Sequence, residues 1–337
     1  MFSHCIRLFR LFFLFVFVFA CFRLPGAFAG CGSCYVPPEG SKLRPGEHIS
    51  SGPMVNQPTA STLGRHHATA GFEFSYLRFD KIPPAQVHRL HHQGRDIHGK
   101  KNEQIYHTHL GFGVLDDLDV YVAAPIVSKT SNQVDDHDRI GEAERSTGFG
   151  DMRLIGKYRF WKKLVEAAAI AAVKFPTGKT DNKNRSRAKF ETEQQPGSGS
   201  WDGEFGIALS RNLWQRISAA TSFQYALRGE GAQDRKLGDT FYYNIGASVA
   251  VRKLGQYPNL SLVLELNNRW SLRDHSRDAD RVLDSGGAII FLTPGFHLDL
   301  SRHVSAFWGM PLPAYQDRGG LHEKTDLAML AGASVHI

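Results

Sequence analysis

The strongest constraint on the fold is a two-residue periodicity of apolar side chains that continues over long segments of the chain. In one segment every second residue is a leucine: Leu260, Leu262, Leu264 and Leu266. Because successive side chains of a β-strand point to opposite faces, this pattern predicts strands with one apolar face. The runs cover about ten residues or more, whereas strands of soluble proteins usually have five or six.

Twelve such segments are predicted, and the connections between them sort by length. The segments begin near residues 67, 103, 119, 148, 164, 201, 216, 237, 259, 286, 303 and 325. Short connections fall at 115–118, 161–163, 212–215, 253–258 and 300–302, and they alternate with long polar ones at 80–102, 128–147, 176–200, 229–236, 271–285 and 314–324. Short turns at one end and long loops at the other are typical of an up-and-down transmembrane β-barrel. A soluble β-sandwich does not sort its loops in this way.

We therefore predict an all-β fold, a transmembrane antiparallel up-and-down β-barrel of about 12 strands that covers residues 67–337. Closure also satisfies a physical requirement, because every backbone N–H and C=O group in lipid must find a partner and the sheet can have no free edge. The long loops at 80–102 and 176–200 are expected to gate its mouth.

The first 29 residues have the features of a cleaved secretory signal peptide. Arg7 and Arg10 precede an apolar core at 11–22, and Ala27-Phe28-Ala29 fits a small-x-small cleavage site. That core is too short to span a bilayer, which needs about 20 apolar residues. We expect an exported protein of the bacterial outer membrane, in which residues 30–66, rich in Pro, Gly and Ser, form an exposed periplasmic arm and no plug domain is present.

The arm contains the two cysteines that remain after signal cleavage, Cys31 and Cys34. In an oxidising compartment they can form a local disulfide. Alternatively, Ala29-Gly30-Cys31 resembles the end of a lipoprotein box, and Cys31 would then carry lipid. Tyr35 stands where the CxxCH motif of covalent haem attachment requires histidine.

If the apolar rows face lipid, the alternate rows face the lumen and carry charge of both signs. The candidates for the lumen and its selectivity are Glu73, His107, His109, Asp151, Arg153, Lys157, Glu166, Lys174, Asp202, Glu204, Arg228, Glu265 and Arg269. One interpretation is a wall of mutually neutralising ion pairs that holds the barrel together. The other is a polar conduit that selects a solute, although the balanced charge gives no preference for anions or cations.

Other chemistry has weaker support. On an extended strand His107 and His109 share one face and could chelate Zn²⁺, Cu²⁺ or Ni²⁺, but a hydrated polar loop is the simpler interpretation of this histidine-rich region. The formal charge of +7 includes three leader arginines and is too small and dispersed to indicate nucleic-acid binding. No cofactor is predicted.

An enzyme is not predicted either. Outer-membrane phospholipases need a Ser–His pair with an orienting Asn at the lipid edge. The nearest candidates are Ser271 and His275 beside Asn267, and they lack the H-x-S-N-G pattern of that family.

Several short motifs resemble a known family when read in order. They are Gly148-Phe149-Gly150-Asp151-Met152-Arg153-Leu154, Lys174-Phe175-Pro176-Thr177-Gly178, Gly197-Ser198-Gly199-Ser200-Trp201-Asp202, and Ser285-Gly286-Gly287 with Thr293-Pro294-Gly295. Together they resemble the outer-membrane transporter-like barrels described as meta-pathway phenol-degradation proteins, over roughly residues 67–337. The resemblance implies an outer-membrane barrel for the uptake of aromatic or other hydrophobic compounds.

The sequence thus predicts a monomeric barrel for passive uptake of small, aromatic or hydrophobic solutes. Its expected partners are outer-membrane lipid, the solute and the barrel-assembly machinery during biogenesis. The alternative is a closed structural or interaction barrel, which uses the cysteine-containing arm and the histidine-rich loop to dock a partner or a metal.

Overall fold

The computed structural model describes residues 52–80, 99–134, 140–276, 282, 285–317 and 324–337. The predicted signal peptide, Cys31 and Cys34 lie outside the described residues, as does most of the histidine-rich loop. The predictions made for those segments therefore remain predictions.

The described residues form sixteen strands and two short 3₁₀ turns. The strands are β1 (Ala68–Phe79), β2 (Gly99–Leu115), β3 (Leu118–Val134), β4 (Ile140–Phe149), β5 (Arg153–Lys162), β6 (Glu166–Lys174), β7 (Asp202–Trp214), β8 (Ile217–Leu227), β9 (Arg235–Lys236), β10 (Thr240–Ala250), β11 (Asn259–Ser271), β12 (His275–Ser276), β13 (Gly287–Asp299), β14 (Val304–Gly309), β15 (Leu312–Asp317) and β16 (Thr325–His336). Among the described residues no helix has the length and apolarity to cross a membrane.

Fourteen strands form one sheet, which closes on itself where β1 pairs with β16 and β11 pairs with β13. Two barrel positions are each shared by a pair of strands. Strands β4 and β5 both pair with β3, and strands β14 and β15 both pair with β13. The closed antiparallel barrel therefore has 12 strand positions, which confirms the predicted fold. Strands β9 and β12 form a separate ribbon at the long-loop end.

One predicted loop is largely strand. Residues 128–147 were expected to form a long polar connection, but β3 continues to Val134 and β4 begins at Ile140. The pairing is regular here, with Thr130 opposite Arg145 and Ser131 opposite Glu144. Beyond the lipid a strand does not need an apolar face, so the periodicity that reveals the other strands is missing from this extension.

The outer surface of the wall is apolar and its inner surface is polar. On β11 the outward residues Leu260, Leu262 and Leu264 are exposed, whereas the alternate residues Ser261 and Glu265 are buried. Aromatic residues lie at strand ends, with Trp214 exposed at the short-turn end and Trp270 exposed at the long-loop end. Apolar side chains between aromatic girdles match the surface that a bilayer requires.

The expectation of an exposed arm is wrong for the part of the arm that the structure describes. Residues 52–63, called here the plug segment, lie inside the barrel at its short-turn half. Met54, Val55, Gln57 and Ala60 are each at most 1% exposed. Met54 and Val55 pack in one apolar cluster with inward residues of four strands, Ala220, Val263, Phe307 and Leu330. Pro, Gly and Ser were interpreted as marks of an exposed coil, yet such residues also suit a coil enclosed by polar walls.

We expect the folded protein to resist dodecyl sulfate at room temperature, because each strand is hydrogen-bonded on both sides and the sheet has no edge to open. On a cold detergent gel the unboiled protein should migrate faster than the boiled chain. Identical mobility before and after boiling would contradict the closed barrel.

Candidate functional site

The plug segment enters the lumen from the short-turn end and crosses between opposite walls. The Gly52 N–H donates to Ser218 Oγ on β8 at 2.9 Å, and the Ala60 N–H donates to Ser210 Oγ on β7 at 2.7 Å. The Leu63 N–H then donates to Asp119 on β3 at 3.1 Å. Because the wall supplies these acceptors, the segment stays ordered without secondary structure of its own.

The deepest anchor of the plug segment is the carboxylate of Glu265 on β11. Its Oε1 accepts from the Val55 N–H at 2.5 Å and from the Asn56 N–H at 3.1 Å. Its Oε2 accepts from Asn267 Nδ2 at 3.0 Å. Glu265 is 1% exposed, so these donors replace the water that an ionised carboxylate would otherwise keep.

The second anchor, Asp119, has a different environment. It accepts from the Leu63 N–H and from the Tyr121 hydroxyl at 2.9 Å, and Lys157 Nζ lies 3.6 Å from its Oδ2. Lys157 also lies over the Tyr121 ring, 5.5 Å from the ring centroid. Asp119 is thus compensated by a cation, and Lys157, a predicted lumen residue, is part of the plug anchor.

The wall leaves room for the tip of the plug segment at inward glycines. A Cβ atom at Gly309 on β14 would lie 2.7 Å from Val55 Cγ1, and one at Gly246 on β10 would lie 2.9 Å from Met54 Sδ. Such distances are too short for real side chains. Only glycine permits the observed packing at these positions.

At the long-loop end the connection between β6 and β7 folds inward and is held by Asp151. The Gly178 N–H and the Ser198 N–H each donate to this carboxylate at 2.9 Å, and Ser198 Oγ donates at 2.7 Å. A Cβ at Gly178 would lie 2.6 Å from Gly197 Cα, so both glycines are needed for the two loop ends to meet. We call Asp151, Gly178, Gly197 and Ser198 the loop clasp.

The loop clasp is connected by ion pairs to buried charged side chains of the barrel wall. Lys174 Nζ lies 3.2 Å from Asp151 and 2.7 Å from Asp202, and Asp202 pairs with Arg228 at 2.7 Å. Three of the motifs noted in the sequence thus converge on one network, which links Asp151, Lys174, Ser198 and Asp202. The sequence alone did not show that these motifs contact one another.

Further contacts fasten the same loop across the mouth. Lys129 Nζ on β3 donates to the carbonyl oxygens of Glu193 and Gln195 at 2.9 and 3.0 Å. Glu193 also pairs with Lys100 at 3.0 Å and with Arg235. Arg235 also pairs with Asp274 at 3.1 Å, and burial raises the pKa of the Asp274 carboxyl despite this cation.

Other predicted lumen residues occupy the inward face, mostly in pairs. Arg153 pairs with Glu204 at 3.3 Å, and Arg159 lies 3.5 Å from Glu166. Across β1 and β2, Glu73 is opposite His107, and His109 packs closely against Gly71. Arg269 differs from the rest because it is exposed at the long-loop end. Their role in solute selectivity remains a prediction.

A metal site receives no added support. No group of three or more His, Cys, Asp or Glu residues that could hold a metal ion occurs in the described part of the chain. The proposed chelation by His107 and His109 remains untested.

Several residues of the site were missed in the sequence. They are Asp119, Ser210 and Ser218 of the wall, and Asn56 of the plug segment. Asp119 and Tyr121 share the inward face of a predicted strand, so their alternation could have revealed them. Nothing in the sequence pattern indicates that residues 52–63 return into the lumen.

A family model described as "Putative MetA-pathway of phenol degradation" matches residues 94–305. The chain belongs to this family. The match covers more than half of the chain, including the loop clasp, Glu265 and most of the wall. No curated protein matches the chain.

Several solved structures are similar to this chain. The "COG4313 outer membrane channel" from Pseudomonas putida F1 is 12% identical, with a TM-score of 0.61 over 84% of this chain and 100% of that one. The β domain of the Bordetella autotransporter BrkA is 8% identical, with a TM-score of 0.48 over 81% and 100%. The "CymD monoaromatic hydrocarbon channel" is 9% identical, with a TM-score of 0.41 over 81% and 88%. Only the first likeness supports the fold. The family member thus shares its closed antiparallel β-barrel fold with that channel.

Replacing Asp151 by Ala should free the loop at 176–200. The change leaves the N–H groups of Gly178 and Ser198 without their acceptor, at a cost of about 1–3 kcal/mol each. We expect trypsin, which cleaves after the loop residues Lys179, Lys183 and Lys189, to cut the folded variant at least about tenfold faster, a factor that corresponds to about 1.4 kcal/mol. The matched control is Asp181→Ala, which removes an exposed carboxylate from the same loop. Equal cleavage of both variants would contradict the loop clasp.

Proposed function

We propose that this barrel is an outer-membrane channel for the passive uptake of small apolar solutes, aromatic ones among them. The observation that carries the proposal is an apolar strip on one side of the lumen. Ile289, Phe291 and Ala328 cluster towards the long-loop end. Leu330, the next inward residue after Ala328 on β16, belongs to the cluster that includes Val263 and Phe307.

The opposite wall has a different character, since β5 to β8 carry the buried charges around Lys174, Asp202 and Arg228. These charges are bound to one another and to the loop clasp. A polar solute would have to break such contacts or lose its own hydration, which costs several kcal/mol per group. An apolar solute on the strip would lose only contact with water at Ile289, Phe291 and Ala328, which favours its binding there. Nearer the short-turn end it would meet the tip of the plug segment, which covers the rest of the strip.

The relatives support the same proposal. The family description refers to phenol degradation, and one structural neighbour is described as an outer-membrane channel. We extend that role to this chain, as a monomer folded with the barrel-assembly machinery and embedded in outer-membrane lipid. We further propose that the protein is a channel and not an enzyme.

The test is uptake by cells that express the full chain in a host lacking its own aromatic channels. We expect radiolabelled toluene to enter several-fold faster than in cells with an empty vector. Arabinose should enter vesicles that contain the purified protein no faster than it enters protein-free vesicles, because the plug segment and the loop held by the loop clasp both occupy part of the lumen. Equal toluene uptake with and without the protein would overturn the proposal.

The plug segment and the loop clasp, which both lie in the lumen, also fit the alternative, a structural or interaction barrel. A folded protein that passes neither toluene nor arabinose would favour it. The cysteine-containing arm and the histidine-rich loop that this alternative invokes lie outside the described residues.

A further inference from the structure

We propose that the tip of the plug segment, residues 54–57, occupies a ligand seat in the lumen wall, and that this seat binds an apolar molecule carrying an ammonium or similar N–H donor group. This inference rests on the proposed function and names a solute class for the same lumen. In the structure the tip stands in for the ligand, since it supplies apolar side chains next to two N–H donors.

The first observation is the shape and lining of the seat. Ala220, Val263, Phe307 and Leu330 contribute its apolar surface and enclose Met54 and Val55. The glycines at 246 and 309 widen it where wall side chains would otherwise fill the space. Without the tip, the wall would therefore retain an apolar recess and not a packed core.

The second observation is the chemistry of Glu265 at the edge of that recess. Its three donors are all uncharged: two backbone N–H groups of the tip and the side-chain amide of Asn267. No Lys or Arg among the described residues forms an ion pair with it. An ionised carboxylate in such surroundings favours a cation, and an ammonium group offers both charge and three N–H donors.

The tip itself fits the seat imperfectly. Gln57 is 1% exposed, yet neither its amide oxygen nor its amide nitrogen has a hydrogen-bond partner among the described residues. Unpaired buried polar atoms weaken the hold of the wall on the tip. A ligand that satisfies Glu265 without burying an unpaired amide can therefore compete with it.

The anchor at Asp119 should hold the plug segment in place while a ligand displaces only its tip. Asp119 holds Leu63 and is compensated by Lys157, so an incoming cation gains less there. The chain between Leu63 and β1 would keep the displaced tip tethered beside the lumen. A ligand that binds Glu265 therefore displaces the tip, while Leu63 stays bound to Asp119.

The experiment measures the position of the tip directly in the refolded mature protein. Val55→Cys and Gly309→Cys are combined in a chain with Cys31→Ser and Cys34→Ser. A Cβ at position 309 would meet the Val55 side chain at 2.7 Å and its next neighbours at 3.4 Å, so the change of Val55 to cysteine removes the obstructing methyl group and brings a sulfur within reach of a disulfide. The rate of oxidative cross-linking reports how often the tip occupies the seat.

Benzylamine is the probe, and toluene and phenylacetate are its matched analogues without a donor or with the opposite charge. We expect saturating benzylamine to slow cross-linking by about tenfold, and toluene and phenylacetate to slow it less than twofold. With Glu265→Gln added, the benzylamine effect should fall below twofold, because the carboxylate charge is gone. The control pair Ser128→Cys with Thr147→Cys lies on the paired strands β3 and β4, where the two hydroxyl oxygens are 2.8 Å apart, and it should cross-link at the same rate with or without benzylamine.

An unchanged cross-linking rate with benzylamine, or an equal effect of toluene, would overturn the ligand seat. That failure is distinct from failure of the proposed function, which depends on toluene uptake in cells. A channel that takes up toluene while benzylamine leaves the tip in place would keep the function and lose the seat.

Discussion

The structure depends on one constraint, that backbone polar groups in lipid must all be hydrogen-bonded within the protein. A sheet meets this condition only if its first and last strands pair, as β1 and β16 do along almost their whole length. Closure then separates the hydrocarbon outside the barrel from the lumen inside it. Side chains on alternate positions of every strand face either hydrocarbon or the lumen, so Leu262 and Val263 meet entirely different surroundings one residue apart.

Closure also determines what the lumen must contain. A barrel of 12 strands encloses more space than its own inward side chains fill, and this chain fills it with residues 52–63 from one end and with the loop at 176–200 from the other. Both insertions lack regular secondary structure over most of their length. Their backbone N–H groups therefore need acceptors, and Glu265, Asp119 and Asp151 provide them. Three carboxylates of the wall thus order the irregular segments of the fold.

These carboxylates differ in how their charge is balanced. Asp151 and Asp119 have lysine partners, Lys174 and Lys157, so their networks are closed and neutral. Glu265 relies on uncharged donors. Breaking a compensated pair leaves two buried charges, whereas vacating Glu265 leaves one that a new donor could satisfy. Because of this difference, we assign to Asp119 and Asp151 the role of holding their segments in place, and to Glu265 the role of binding either the tip or a ligand.

The sequence by itself determined the wall. The two-residue periodicity, the alternation of loop lengths and the family motifs specify the barrel, its strand number and its inward rows, because those properties follow from local geometry that repeats along each strand. The sequence pattern does not reveal polar strand extensions such as 128–134, because they lie beyond the lipid and lack the two-residue apolar periodicity. Only the tertiary structure decided what fills the lumen. The contacts between Val55 and Glu265, or between Ser198 and Asp151, join residues 210 and 47 positions apart, and no local pattern encodes them.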